Sequence, residues 1–237
     1  MSETNDPSAS APMSTRAPRS ADLSPPTTLV LVRHGRTIMT EQHRMAGGGG
    51  TFDPSLSDLG RQDAERARAV LTRLTEGHLG ERILPTSVVA SPMARTRETA
   101  GVIAAGLGLE VELEPGFVEN DYGVWDGHTY AEIGERWPAE LLAWQGSSAV
   151  APPGGESLDD HMARVARARD ALVAARPGQV VVVVSHVTPI RTIVRDALDA
   201  GIAAMWRIKI DPCSVSITRQ WSDGNAEVSC VNVVGET

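Results

Sequence analysis

Two stretches of the chain are apolar without alternation. Thr28–Arg33 ("TLVLVR") and Gln179–His186 ("QVVVVVSH") run aliphatic residues together before ending on a cation or an imidazole, the pattern of central strands covered on both faces. Thr86–Ser91 ("TSVVAS") reads as a further short strand, and "LEVELEP", Leu109–Pro115, alternates like a strand near a sheet edge. Elsewhere the period changes. Ala67, Val70, Leu71 and Leu74 fall at i, i+3, i+4 and i+7, which predicts an amphipathic helix with Ser57 as N-cap and Gly77 as its stop. Helices are also predicted over Met93–Leu107, over Tyr130–Trp144 with a break at Pro138, and from Ser157 to Ala175, where Ser157 and Asp160 resemble a capping box. Another runs from Pro189 to Leu198, with proline suiting the first turn. Ser214–Gln220 and Ala226–Val234 predict a closing hairpin about Asp223-Gly224. Strands alternating with helices give an α/β class: a three-layer α/β/α sandwich on a mainly parallel mixed sheet.

Composition changes this picture at the ends of the 237 residues. Residues 1–26 are nearly all Ser, Pro, Ala, Thr and charge, which predicts a disordered tail ahead of one domain over 27–237. No run approaches the roughly 18 apolar residues of a membrane span. The net charge of -8 speaks against nucleic acid as a partner. Cys213 and Cys230 are too few for a disulfide framework or a zinc site, and in the predicted hairpin Cys230 falls opposite about Ser216. Reduced cysteines fit a cytoplasmic setting. No metal-ligand cluster stands out, so no metal or other cofactor is expected. "AGGGG", Ala46–Gly50, lacks the Lys-Ser/Thr ending of a phosphate-binding loop and is expected to be a mobile surface loop.

Sheets of this kind bind ligands beyond the carboxyl ends of their strands. Three such ends carry charge: His34 after the first buried run, Ser91–Arg97 ("SPMARTR") after the second strand, and His186 after the valines. If those ends are neighbours, Arg33, Arg36, Arg95, His34 and His186 face one space. Their mutual repulsion would cost about 4 kcal/mol per close pair at an effective dielectric near 20. Only an anion makes that cluster sensible, and a phosphoryl group matches arginine forks.

"LVRHGRT", "SPMARTRETA", "FVENDYGVWDG" and "VVVSHVTPI", in that order, resemble the histidine phosphatase superfamily. The resemblance is to its phosphoglycerate mutase-like branch, which includes broad-specificity and α-ribazole phosphatase-like proteins. It covers Thr28 to Val234 and implies the phosphoglycerate mutase-like fold. It also implies a phosphatase that hydrolyses a small-molecule phosphate monoester through a phosphohistidine, without metal. Carried over, it makes His34 the nucleophile and has Arg33, Arg95 and His186 ligate the phosphoryl oxygens. Glu119 becomes the acid that protonates the leaving oxygen, so the catalytic set is His34, Glu119 and His186. Arg36, Thr37, Thr40 and Val187 are candidates for substrate contacts, with Arg36 equally placed for the rim or the phosphate. The expected partner is a small-molecule phosphate ester, with no nucleic acid or membrane, and a homodimer is allowed.

The sequence departs from the family where Val187-Thr188 follows the second histidine, and where Thr40 and Ala46 replace residues that touch substrate in relatives. These changes bear on substrate more than on chemistry. A phosphoglycerate mutase, or a non-catalytic phosphoester-binding protein, remains the alternative. Arg97 reads as structural, and His43, His78, His128 and His161 as surface residues. Trp125, Trp137 and Trp144 suit either the substrate mouth or the core.

Overall fold

The computed structural model of the chain describes residues 24–50, 52–77 and 82–235. The valine run forms β4, Val180–Ser185, beside the first apolar run, β1, Thr27–Arg33. These two are parallel, and β2 (Ser87–Ala90) and the edge strand β3 (Val111–Leu113) continue the parallel part. On the other side β5 (Val215–Gln220) and β6 (Ala226–Val233) pair antiparallel. The six strands lie in the order β3-β2-β4-β1-β5-β6.

Both central strands are apolar on consecutive residues because each face meets helices. Val30, Val32, Val182 and Val184 pack with Ala67, Leu71 and Ile103 of α2 (Asp58–Thr75) and α3 (Ala94–Leu107). Leu29, Leu31, Val181 and Val183 pack with Val165 of α6 (Leu158–Ala175) and Ile190 and Ile193 of α7 (Val187–Ala197). The period-2 geometry of a strand divides the two sets between the faces. A four-residue α1 (Ile38–Glu41) precedes α2, and α4 (Tyr130–Arg136) and α5 (Pro138–Gly146) lie between α3 and α6 in sequence. Trp125, Ile133, Leu141 and Trp144 make a separate cluster there.

Most predicted boundaries agree within a residue or two. Pro138 does separate two helices, as its missing N–H requires. The last helix begins at Val187 rather than Pro189, so Pro189 is its third residue and His186 its N-cap. Cys230 lies opposite Ile217, not Ser216, because the β5–β6 pairing is irregular between Val215 and Thr218. Both cysteines are free. His161 is fully buried rather than superficial: its Nδ1 faces Arg164 at 3.1 Å and Glu156 at 3.4 Å. Of the predicted tail only residues 24–26 are described. Among the described residues no helix is long and apolar enough to cross a membrane.

Candidate active site

Because β2, β4 and β1 are parallel neighbours, their carboxyl ends open on one edge of the sheet. Register then decides which side chains meet. Arg33 lies opposite Ser185, so the next residues, His34 and His186, face each other with ring centroids 5.1 Å apart and planes at 63°. The His34 amide donates to the Ser185 carbonyl at 3.0 Å. Ser91, just beyond β2, brings its Oγ to 2.8 Å from His186 Nε2.

The hydrogen bonds fix which nitrogen of His34 is free. Its Nδ1 lies 2.7 Å from the Gly35 carbonyl, and a carbonyl only accepts. Nδ1 therefore carries the proton and Nε2 keeps a lone pair. Glycine is required at position 35 because a Cβ would stand 2.3 Å from the Gly60 carbonyl in the first turn of α2. Without a side chain there, the segment that leaves β1 can lie against the start of α2.

Around the imidazoles, cations lie buried with unused donors. Arg95 is 1% exposed. Its Nη2 donates to the Ala46 carbonyl at 3.0 Å, while Nε and Nη1 have no hydrogen-bond partner; Asp53 is an ion-pair neighbour at 3.5 Å. Arg33 donates from Nη1 to the Ile210 carbonyl at 2.8 Å, and its Nε is buried and unpartnered. His186 Nδ1 is likewise orphaned. Buried donors of this kind cost free energy unless an acceptor arrives. Burial pushes Arg33 down to about 10. Burial, then the charges of Arg95 and Arg33, hold His34 well below the ordinary imidazole value. Burial and the same arginines, with His34 between them in weight, do so for His186.

Both imidazoles are thus neutral in the folded chain, and the sign of the pH effect on stability follows. An unfolded histidine takes up a proton below about pH 6.5, which the buried ones resist, so stability is intact above that pH and falls below it. The loss is about 1.4 kcal/mol per histidine per pH unit. Thermal melts at roughly pH 7.5 and 5.5 should show a fall in Tm that inorganic phosphate reduces, since the anion favours the protonated rings. A His34→Asn chain with the same acid slope as wild type would contradict this account.

The segment carrying Glu119 is brought to the strand ends by polar ties. Ser185 Oγ donates to the Phe117 carbonyl at 2.7 Å. Arg164 of α6 donates to the carbonyls of Gly116 (2.9 Å), Val118 (3.2 Å) and Glu119 (3.4 Å), and pairs with Glu156 through two bonds. Burial alone would raise Glu156, but hydrogen bonds from His161 and Arg164 outweigh it and hold the carboxyl at about 2. Glu119 is buried; its Oε1 accepts from the Asn120 amide at 2.8 Å and its Oε2 from the Thr188 amide, at the start of α7, at 3.4 Å.

The first half of the glycine run is not the loose surface loop its composition suggests. Gly47 is buried and donates to Asp126 Oδ1 at 2.7 Å, and Gly48 donates to the Asn120 carbonyl at 3.1 Å. A Cβ on Gly48 would lie 2.2 Å from the Glu119 carbonyl. Gly47 and Gly48 are therefore a wall pressed against the Glu119 segment, Ala46 supplies the carbonyl that holds Arg95, and Gly49 and Gly50 are exposed as expected of a surface loop. Gly48→Ala is expected to cost about 1–3 kcal/mol through overpacking and to slow turnover by displacing Glu119. Melting and kcat/KM both matching wild type would refute it.

The remaining candidates separate. Arg36 is bound to Asp63 by two side-chain bonds, 2.7 and 2.8 Å, at the rim of the cavity. Thr37 is buried and caps α1. Thr40 and Val187 line the cavity, as does Trp144, whereas Trp125 is in the core and Trp137 packs against the same cluster. Arg95 does not pair with Glu98, which instead lies 4.0 Å from Arg61. His43 is exposed, His128 is half-buried and His78 lies outside the described residues. The sequence reading did not single out Tyr122, Arg191 and Trp206, which also line the cavity. For Arg191, its place three residues after Thr188, on one helix face, was a usable signal.

These groups open into a cavity of about 800 Å³. Among the described residues no group of three or more His, Cys, Asp or Glu could hold a metal ion. The family model described as histidine phosphatase superfamily (branch 1) matches residues 29–233. The chain belongs to that superfamily. Its curated relatives include bifunctional protein Rv2228c of Mycobacterium tuberculosis, 40% identical over 89% of this chain and 55% of that protein. The chain therefore spans about half the length of that relative. Phosphoserine phosphatase 1 of Hydrogenobacter thermophilus is 31% identical over 80% of this chain and 84% of its own. Among solved structures, the mycobacterial glucosyl-3-phosphoglycerate phosphatase in complex with VO3 superposes with a TM-score of 0.74 at 28% identity, covering 87% of this chain and 99% of that one. Other relatives bear phosphatase names, and one of Methylocella silvestris bears that of a 2,3-bisphosphoglycerate-dependent phosphoglycerate mutase.

Proposed function

We propose that this histidine phosphatase-family chain hydrolyses a small-molecule phosphate monoester through a phosphohistidine on His34. One observation carries the reading: the orphaned buried donors of Arg33, Arg95 and His186 surround an imidazole with a free Nε2. Donors that are desolvated before the ligand arrives need no reorganisation to stabilise charge on a transferring phosphoryl group. Its compact oxygens, which share a double negative charge, suit this set, and the VO3 complex of the mycobacterial relative supports the same occupant.

In the reading, Nε2 of His34 attacks phosphorus while the bond from phosphorus to the ester oxygen breaks. Glu119, held by the Asn120 and Thr188 amides, gives its proton to that oxygen, and the alcohol leaves. Glu119 then takes a proton from water, whose oxygen attacks phosphorus as the phosphorus–nitrogen bond breaks. Phosphate and neutral His34 are regenerated. A neutral His186 accepts the Ser91 hydroxyl at Nε2 and directs Nδ1–H to a phosphoryl oxygen.

A phosphate-release screen over an aryl phosphate, phosphorylated sugars, nucleotides and glycerates tests this. Release with an acid-labile phosphoenzyme supports it. Interconversion of 2- and 3-phosphoglycerate without net phosphate would turn the reading to a mutase. Tight phosphoester binding without turnover would turn it to a binding protein.

A further inference from the structure

Arg191 lines the same cavity as the phosphoryl cluster. It lies three residues after Thr188 on α7, so both share one helix face about 4.5 Å apart along the axis. Thr188 is the residue whose amide holds Glu119. In the proposed reaction Glu119 gives its proton to the leaving oxygen, and Glu119 is also the first charge that acts on Arg191, which favours the leaving-group side of the site for this guanidinium.

Its guanidinium is anchored yet unsatisfied. Nε donates to the Ile208 carbonyl at 2.7 Å, fixing the plane of the fork, and the terminal nitrogens make no hydrogen bond or ion pair among the described residues. The other cavity-lining arginines outside the phosphoryl cluster are occupied: Arg36 by Asp63, and Arg44 by Glu132 and the Gly127 carbonyl. Burial destabilises the Arg191 charge, with Glu119 and Tyr122 opposing that effect from a distance. A half-buried fork with free ends in a cavity wants a planar anion, and a carboxylate matches it through two parallel bonds. Glu41 and Asp211 also line the cavity, and they weigh more against a second dianionic phosphate than against a single carboxylate.

We propose that the substrate is a phosphate monoester whose alcohol part carries a carboxylate, and that Arg191 binds that carboxylate; this rests on the phosphatase reading of the same site. The test compares esters that differ in this group alone: 3-phosphoglycerate with glycerol 3-phosphate, and 2-phosphoglycerate with glycerol 2-phosphate. Phosphate release is measured for the wild type, Arg191→Ala and Arg191→Lys. In at least one pair the wild type should favour the carboxylate by about 10- to 100-fold in kcat/KM, chiefly through KM. Arg191→Ala should bring that ratio close to one, and Arg191→Lys should restore part of it. Binding of the same pairs to a His34→Ala chain, followed by calorimetry with and without Arg191→Ala, should show the same ratio. That arm reads the carboxylate site even if no ester is hydrolysed, so failure of the phosphatase reading is seen separately. No preference in either pair, or a preference that survives Arg191→Ala, would overturn the proposal.

Discussion

Replacing His34 with alanine should reduce kcat/KM on every phosphate ester by at least about 10⁴-fold, the scale on which loss of a nucleophile is felt. No acid-labile phosphoenzyme should form. Phosphate should still bind, because Arg33, Arg95 and His186 keep their buried donors. That combination separates a lost nucleophile from a collapsed pocket. Only the Nε2 lone pair is positioned to attack, since Nδ1 is committed to the Gly35 carbonyl. A His34→Ala chain that keeps a tenth of its activity, or still traps phosphate covalently, would remove His34 from the mechanism.

Glu119→Gln should divide substrates by their leaving groups. Alkyl esters must have the departing oxygen protonated, and loss of a positioned acid costs about 10²–10⁴-fold. An activated aryl phosphate leaves as a stable phenolate, so its first turnover should slow by less than about tenfold. Without a base to activate water the phosphoenzyme should then accumulate, giving a burst of phenolate. Rapid mixing reads the burst, and steady-state assays read the alkyl esters. Equal losses on both classes in the first turnover would deny Glu119 the role of acid. Glutamine can still accept from the Asn120 amide, so the segment should stay in place.

The central strands could be read from sequence because their surroundings leave a mark on composition. A strand buried on both faces has no polar position to spare, and the runs at Leu29–Val32 and Val180–Val184 contain none. The helix of α2 was equally plain from Ala67, Val70, Leu71 and Leu74, all buried. Position-by-position reading failed where a residue's fate depends on partners far away in the chain. His161 is a different case: its partners Arg164 and Glu156 are near in sequence. It shares the buried face of α6 with Leu158, Val165 and Ala168, but a titratable residue at a core-facing helical position reads as a surface one when taken singly. The glycines at 47 and 48 looked like slack, yet each removes a side chain that would collide with the Asn120 or Glu119 backbone. Composition cannot tell a glycine that permits motion from one that permits contact.

Arg33 and Arg36 show the same division at the site itself. In sequence they flank His34 and Gly35 with equal claim to an anion. In the fold, Asp63 takes two bonds from Arg36, while Arg33 keeps a buried Nε without partner. The sequence by itself determined that strands would end on imidazoles and cations, because an apolar run that stops on such residues carries them to the edge of the sheet, where charge can be met. Which of those ends are neighbours was decided by strand order and register, and which cations are free was decided by acids and carbonyls from distant segments. Pairing energies depend on separation in space, and a linear chain does not carry that distance.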